Sequence, residues 1–501
     1  MIYKLKNLLL GFLSILCLQI VLLSCATYKP YSKGEGDTSA AKNSDPFLSV
    51  FLLSGENETK GAPSDALNLM ISQVEKEGEK ASLFLLGNNG AKEGLPDSSH
   101  IKQRKAAQEI LSAKFGQLED FNGKIFMTAG YNDWASGGKQ GYRNVNNLEQ
   151  YVEAILAERG NVFLPDNGCP GPQEVQLSED IVAIFIDTQW WLHEWEKTGE
   201  GAPCESIDEG SFLVHMKDAL RRNKDKKVIV VGNHPIYSNG PHGGYFPITT
   251  HLFPPLLGTI YAAYRKNVGN LQDLSSSKYK TLRAGLEDVF KIHPNLIYVT
   301  GHEKSLQYHN VDNQHHVISG SINDAKPVVK GKTADFAYAA NGFGRLNFYQ
   351  NGDVILEFWV ADGSEGKMAY SKKLFNQVYR ETPEEDYGDL DFSEMTATAV
   401  GDATLFKKDR KKPGLFGINY RKEWATELEV PVFDIGKEQG GLKILKRGGG
   451  MQTRSLRMEN ADGKQYVLRS VEKFPEAALP PILRKTFASD LVKDQISASH
   501  P

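Results

Sequence analysis

Cysteine is nearly missing from this chain: 501 residues contain four, and two of them, Cys17 and Cys25, fall at its very start. That excludes a small fold stapled by many disulfides. An excess of positive charge is missing too, with 58 Lys and Arg against 62 Asp and Glu, a formal net charge of −4 and a pI near 6.3. Without a long-range positive field, nucleic acid and other acidic surfaces are set aside as partners. A long apolar run occurs once, at the start. What is present, 40% hydrophobic and 24% charged residues, suffices for one large domain plus a smaller one, each with its own core.

The opening, "MIYKLKNLLLGFLSILCLQIVLLSCATYKPYS", sets two lysines before an apolar run of roughly 18 residues that closes on a small residue and a cysteine. Two readings stand: a cleaved export signal, or an uncleaved membrane anchor. Leu22-Leu23-Ser24-Cys25 resembles the bacterial lipoprotein box. The resemblance implies a signal peptide over 1–24 and a lipidated Cys25 as first residue of the mature protein, with acyl chains holding it to a membrane of the cell envelope. The Ser-, Gly-, Lys- and Asp-rich stretch that follows reads as a flexible tether over 25–46. With Cys17 and Cys25 so used, Cys169 and Cys204 remain. In an oxidising compartment that pair is most simply a disulfide, the alternative being two buried free thiols.

From Phe47 onward, short apolar runs alternate with helical periodicity. "LSVFLL" (48–53) precedes a pattern with Leu67, Met70, Ile71 and Val74 at helical spacing behind Pro63-Ser64-Asp65. The rhythm repeats through "ASLFLLG", "GKIFMTAG", "IVAIFIDTQWW", "KKVIVVGNHP" and "NLIYVTGH", each paired with a helix-like segment. Strand and helix in alternation predict an α/β domain. "HHVISGS" and "GRLNFYQNGDVILEFWV" lack intervening helices, and Asn351-Gly352 is a strong hairpin signal. The sheet is therefore expected to be mixed and to close with antiparallel strands near residue 360. Beyond it, acidic "YRETPEEDYGDLDF" and basic "KKDRKKPG" read as a connector over 363–425. Residues 426–501 read as a small α+β module, in which the Gly triplet 448–450 is followed by strand-like residues, so that a hairpin is preferred over a phosphate-cradling loop. The final "DLVKDQISASHP" carries no turn signal, as expected of part of a longer chain.

Five strand ends carry polar, Gly-rich turns: "LLSGENE", "LGNNGAKEGLP", "AGYNDW", "GNHPIYSNGPHGG" and "GHEKSLQY". Ligands of open α/β sheets gather beyond the carboxyl ends of strands, so these loops should converge. In order and spacing they resemble the calcineurin-like metallophosphoesterases, in particular the purple-acid-phosphatase branch, over roughly residues 47–360. The resemblance implies that 47–362 form a phosphoesterase domain, a four-layer α/β/β/α sandwich. It also implies where two divalent ions (Fe, Zn or Mn) would be held, through the patterns GD, GDNxYxxGLP, PGNHDW, HHPxYS and GHxH. Carried over loop by loop, the first aspartate falls at Gly55, the bridging aspartate at Asn88 and the tyrosine at Ala91. The metal-binding asparagine falls at Tyr131, and the proton-donating histidine beside it at Asn132. The histidine before His234-Pro235 falls at Asn233, and the last pair at His302 and Lys304. Of seven ligand positions only His302 keeps its type. A one-residue slip in the first loop would bring in Glu56.

Cations held close together need anionic oxygens and neutral imidazoles. Neutral Gly55 and Asn88, bulky Tyr131 and the fixed ammonium of Lys304 work against that. Lys304 is read as standing in for the metal, or alternatively as pointing to solvent. The expectation is a degenerate domain with neither cofactor nor catalytic residue, serving as a binding or scaffold subunit. The alternatives are a phosphoesterase with a reorganised site, one metal held by His302, His234 and Glu56, and a phosphate or sugar receptor. For that receptor His234, His242, His302 and Lys304 mark a ligand cleft, His234 and His242 being otherwise residues kept for loop shape. Asp187 is a general base or a buried strand-end cap, and Trp190, Trp191 and Trp195 line a cleft or fill core. The segment from about 415 resembles one found in large Bacteroidetes envelope proteins, where it precedes an outer-membrane β-barrel. That implies an outer-membrane protein complex as partner. Mass spectrometry of the mature protein is expected to find an acylated Cys25 and nothing before it; a retained 1–24 segment overturns the lipoprotein reading.

Overall fold

A computed structural model describes residues 26–34, 45–54, 64–199, 202–254, 256–293, 296–362, 366–375, 396–399, 426, 428–448 and 455–469. Cys25, Gly55, Glu56, the signal segment and most of the 363–425 connector lie outside them. The chain divides into two units, 1–380 and 381–501.

The first unit is mixed α/β. Its strands are β1 (Tyr31–Ser32), β2 (Leu48–Leu53), β3 (Ala81–Leu86), β4 (Lys124–Thr128), β5 (Gln173–Ser178), β6 (Ile181–Phe185), β7 (Lys227–Val231), β8 (Ile297–Thr300), β9 (Leu306–Val311), β10 (Gln314–Ser319), β11 (Phe336–Tyr338), β12 (Gly342–Phe348), β13 (Val354–Val360) and β14 (Lys367–Phe375). One sheet runs β14-β13-β12-β2-β3-β4 and the other β1-β11-β9-β10-β8-β7-β6-β5. β2, β3 and β4 are parallel, as are β6, β7, β8 and β10, and antiparallel pairings complete both sheets.

These strands are hydrophobic at consecutive positions because both faces are covered. Residues of one parity, Val50, Leu52, Phe84 and Phe126 from one sheet with Ala183, Phe185, Ile229 and Val231 from the other, share one core. Phe84 and Phe185 meet edge to face at 5.3 Å. Residues of the other parity, such as Leu83, Leu85, Val182 and Val230, pack with the apolar sides of the helices. Those helices are α1 (Asp65–Glu77), α2 (Ile101–Gly116), α3 (Gly141–Ile155), α4 (Thr188–Leu192), α5 (Glu209–Arg222) and α8 (Ser277–Phe290); α6 (Ile248–Leu252) and α7 (Leu257–Asn267) contribute no residue to that core. Their starts are set by local chemistry. The Ser64 hydroxyl accepts from Leu67 N at the head of α1, Asp208 and Ser211 form a capping box on α5, and Ser276 caps α8.

Three sequence expectations change. The "tether" begins docked rather than free: Ala26 is buried, Thr27 exchanges backbone bonds with Val328, and β1 pairs with β11. An edge strand of two residues is too short to leave a periodicity in sequence. The sheet continues past 362, since β14 pairs with β13 and buries Tyr370 and Phe375; its "KMAYSKKLF" shows weak alternation because its outer positions are lysines. "IVAIFIDTQWW" is a strand only to Phe185, because Asp187 caps a new helix.

In the second unit, β15 (Thr396–Ala399) pairs with β16 (Leu428–Pro431), and β17 (Leu442–Gly448), β18 (Ser455–Asn460) and β19 (Gln465–Arg469) form an antiparallel sheet. Its described residues include no α-helix, so the α+β expectation finds only its strands there. Few of them are buried, Leu442 and Met458 among them.

Cys169 and Cys204 form a disulfide spanning 35 residues. It fastens the loop between β6 and α5 to the segment before β5. On the chain-entropy model such a loop stabilises by about 4 kcal/mol. Cys169→Ala with Cys204→Ala is expected to lower the unfolding free energy by about 2–4 kcal/mol in a denaturant titration, and an unchanged midpoint would contradict a structural role.

Candidate functional site

The loops after β3, β4, β7 and β8 converge, with that after β6, on a cavity of about 600 Å³. Its lining includes Asn88, Lys92, Tyr131, Asn132, Gln189, His193, His242, Gln272, His302 and Lys304. Asn88, Tyr131, Asn132, His302 and Lys304, singled out from sequence, are thus brought together with His242. Ala91 packs instead against the apolar core, and Asn233 and His234 lie buried behind the wall.

Asp133 organises the floor. Its buried carboxylate accepts from the backbone N–H groups of Asn88 at 2.9 Å, Asn89 at 3.0 Å and Gly130 at 2.8 Å, so one side chain ties the β3 loop to the β4 loop. Burial pushes its pKa up against those bonds and the nearby Lys114. Lys114 is buried as well; burial pulls its pKa to about 8, and its ammonium donates to the Asn89 carbonyl at 2.8 Å. Sequence reasoning passed over both. Asp133 stands in the quoted "AGYNDW", but Lys114 reads as an ordinary helix-surface lysine.

Amides fill the centre. Asn88, held at φ 56°, accepts on Oδ1 from the Asn132 backbone N–H at 2.9 Å. Asn233 donates from Nδ2 to the Leu86 carbonyl at 2.6 Å. A Cβ on Gly87 would come within 2.5 Å of that Nδ2, and one on Gly130 within 2.9 Å. The glycines therefore make room for the Asn233 amide, whose Oδ1 is buried without a partner.

Three imidazoles stack along one wall: His234 on His302 with ring centroids 4.4 Å apart, His302 on His242 at 4.0 Å. Their tautomers follow from their partners. His302 Nε2 donates to the Gln272 carbonyl at 3.0 Å, leaving Nδ1 as the acceptor nitrogen. The backbone N–H of His234 donates to Thr188 Oγ1, which in turn donates to His234 Nδ1 at 2.8 Å. His234 Nε2–H then donates to Gln272 Oε1 at 2.8 Å, and Gln272 donates to Gln189 at 3.1 Å. Burial pulls the pKa of His234 to about 3 and, with His242 and His234 adjacent, that of His302 well below the usual range. His242 Nδ1 donates to Asp273 at 3.1 Å, and Arg265 pairs with the same carboxylate. Burial works to raise Asp273, and its bonds from His242 and Arg265 outweigh that and hold it low.

Lys304 stands at the rim and pairs with Asp324 at 3.3 Å, an aspartate that Lys326 also bonds. Asn88 lines the cavity, and behind it the Asn233 amide lies against Gly87 and Gly130. Asp187 is the N-cap of α4, accepting from Gln189 N, Trp190 N and Trp134 Nε1, and burial raises its pKa to about 7. Trp190 and Trp191 are core, while Trp195 is exposed.

These residues do not fit a two-metal centre. The described ligand positions offer no carboxylate, one imidazole whose Nε2 already donates to a carbonyl, and two amide oxygens, that of Asn88 bonded to backbone and that of Asn233 buried without a partner among the described residues. Among the described residues no group of three His, Cys, Asp or Glu is placed to hold a metal ion. The chemistry on offer is hydrogen bonding from amides and imidazoles, with Lys92, Arg265 and Lys304 as the cationic side chains of the lining.

No protein-family model matches the chain, and no curated protein matches it. Among solved structures it is similar to GAP50, the anchor in the inner membrane complex of Plasmodium, at 20% identity and a TM-score of 0.40, over 66% of this chain and 89% of that one. It is also similar to the purple acid phosphatase PPD1 of yellow lupin, at 11% identity and a TM-score of 0.40, over 66% of this chain and 54% of that one. PhoD is matched at 10% identity and a TM-score of 0.42, over 70% of this chain and 74% of that one. At these identities and scores the likenesses assign no role to any residue.

Burial fixes a pH dependence. His193 and His315 are depressed to about 4, and His234, His309 and His316 to about 3, whereas unfolded imidazoles protonate near 6.5. Between these values the unfolded chain binds more protons, so stability is lost as pH falls below about 6.5. Asp187 and Glu149, raised to about 7, act in the opposite sense, but the histidines outnumber them. Thermal melting is expected to fall steadily from pH 6.5 to 4, with His234 showing no titration in its side-chain nitrogen resonances. A rise in melting temperature over that range would contradict it.

Proposed function

We propose that the chain is a lipid-anchored protein of the bacterial cell envelope whose calcineurin-like domain has lost its two-metal centre and serves as a binding or scaffold subunit. The observation that carries this is the amide-filled centre. Asn233 occupies the space between Gly87 and Gly130, and Asn88 gives its side-chain oxygen to a backbone N–H. An amide cannot bridge two cations as a carboxylate does, and leaving charged metal against neutral donors in a buried site is costly. The two sheets with helices on their outer faces support a four-layer sandwich, and the Leu-Leu-Ser-Cys sequence supports the anchor. An outer-membrane protein complex is the partner this reading favours.

A second reading is favoured by the cavity itself. Asn88 and Asn132, with His242 and Lys304, line a concave space large enough for a small polar ligand. Such a ligand would be a phosphate or a sugar held without turnover, by hydrogen bonds from amides and the rim ammonium.

Metal analysis after incubation with iron, zinc or manganese is expected to give well under two equivalents, with aryl-phosphate turnover no higher than a blank. Lys304→His alone is expected to restore neither, because Asn88, Ala91, Tyr131 and Asn233 still lack the ligand types. Two bound metals with hydrolysis abolished by His302→Ala would establish a working phosphoesterase instead. Calorimetric titration with inorganic phosphate separates the two non-catalytic readings: saturable binding lost in Lys304→Ala supports the receptor.

A further inference from the structure

α7 is built inside out. Its large apolar residues Leu257, Ile260, Tyr261 and Tyr264 recur at i, i+3, i+4 and i+7, the spacing of one helix face. In a helix packed on a domain that face is turned inward, yet here Leu257 is 63% and Ile260 62% exposed. The inner side is made by Gly258 and Ala262, both buried, and by Arg265, which pairs with Asp273. Just before it, Phe253 and Leu256 are 74% and 79% exposed. Isolated exposed apolar residues are ordinary, but a continuous outward stripe on a helix marks a contact surface.

The place of this stripe in the fold says what covers it. The backbone N–H of Ala26 donates to the Phe246 carbonyl at 3.1 Å, and Ala26 is buried. The Phe246 ring packs on Tyr261 of α7 with centroids 5.5 Å apart. Ala26, the residue that follows Cys25 in sequence, is therefore seated beside α7. Successive Cα atoms are about 3.8 Å apart, so an attachment at Cys25 is no more than a residue from that junction. The stripe carries two tyrosines and is followed by Lys266, residue types that settle at a membrane–water interface.

We propose that the outward face of α7, with Phe253 and Leu256, lies in the headgroup layer of a phospholipid bilayer and orients the domain there. This rests on the membrane attachment at Cys25 proposed above. One lipidated residue fixes a protein to a membrane without fixing its angle; an adjacent apolar helix face does so.

The test uses the full chain reconstituted in phosphatidylethanolamine–phosphatidylglycerol vesicles, with a photo-crosslinking amino acid at position 257, 260 or 264, and at exposed position 101 as reference. Phospholipid adducts several-fold more abundant at the three α7 positions than at 101 are expected. Adducts to a second copy of the chain, to another protein, or at the level of position 101 overturn the proposal. Leu257→Glu with Ile260→Glu, in a chain whose melting temperature is kept, is expected to abolish adducts at 264. Mass spectrometry of the amino terminus reads the anchor separately: an acylated Cys25 without α7 adducts defeats this proposal alone, and α7 adducts without acylation defeat only the lipoprotein reading.

Discussion

The Asp133 carboxylate is the constraint on which the centre of this molecule depends. It gathers backbone N–H groups from Asn88, Asn89 and Gly130, and so holds together two loops that leave neighbouring parallel strands. A buried carboxylate is costly unless its hydrogen bonds are made. Here they are made by backbone that would otherwise have no partner at the strand ends. Lys114 adds a second buried charge linked through the Asn89 carbonyl. With these loops fixed, Asn88 is held at a positive φ, and its amide oxygen accepts from the Asn132 backbone N–H.

The cavity wall follows the same logic with neutral groups. Thr188, His234, Gln272 and Gln189 form a chain in which each donor meets an acceptor, which fixes the tautomer of His234. Such a satisfied network is rigid and leaves little driving force to gain a proton or a metal. His242 differs from the two rings behind it, since it is partly open to the cavity and is oriented by Asp273. Of the three rings, His242 is the one whose side chain is partly exposed at this wall.

Much of the fold was legible. The runs at 48–53, 81–86 and 181–185 are strands because stacked sheets and helices cover both faces, which leaves continuous hydrophobic sequence. The edges were not legible: β1 has two residues and β14 alternates apolar with lysine, and an edge strand needs only one buried face. α7 was illegible in a different way. Its periodicity is that of a helix, but nothing in the periodicity says that its apolar side points outward.

The sequence by itself determined which residue types stand at the five loop ends, among them amides at Asn88 and Asn233 and an ammonium at Lys304. Chemical type is a property of the residue and needs no coordinates. Only the tertiary structure decided what those residues do. It turned the Asn233 amide into the gap left by Gly87 and Gly130, drew Lys304 to Asp324, and stacked His234, His302 and His242. It also brought Lys114 and Gln272 to the site from segments with no motif of their own. The reason is that such contacts join residues tens to hundreds of positions apart, and their partners are chosen by packing of the two sheets rather than by any local preference of the chain.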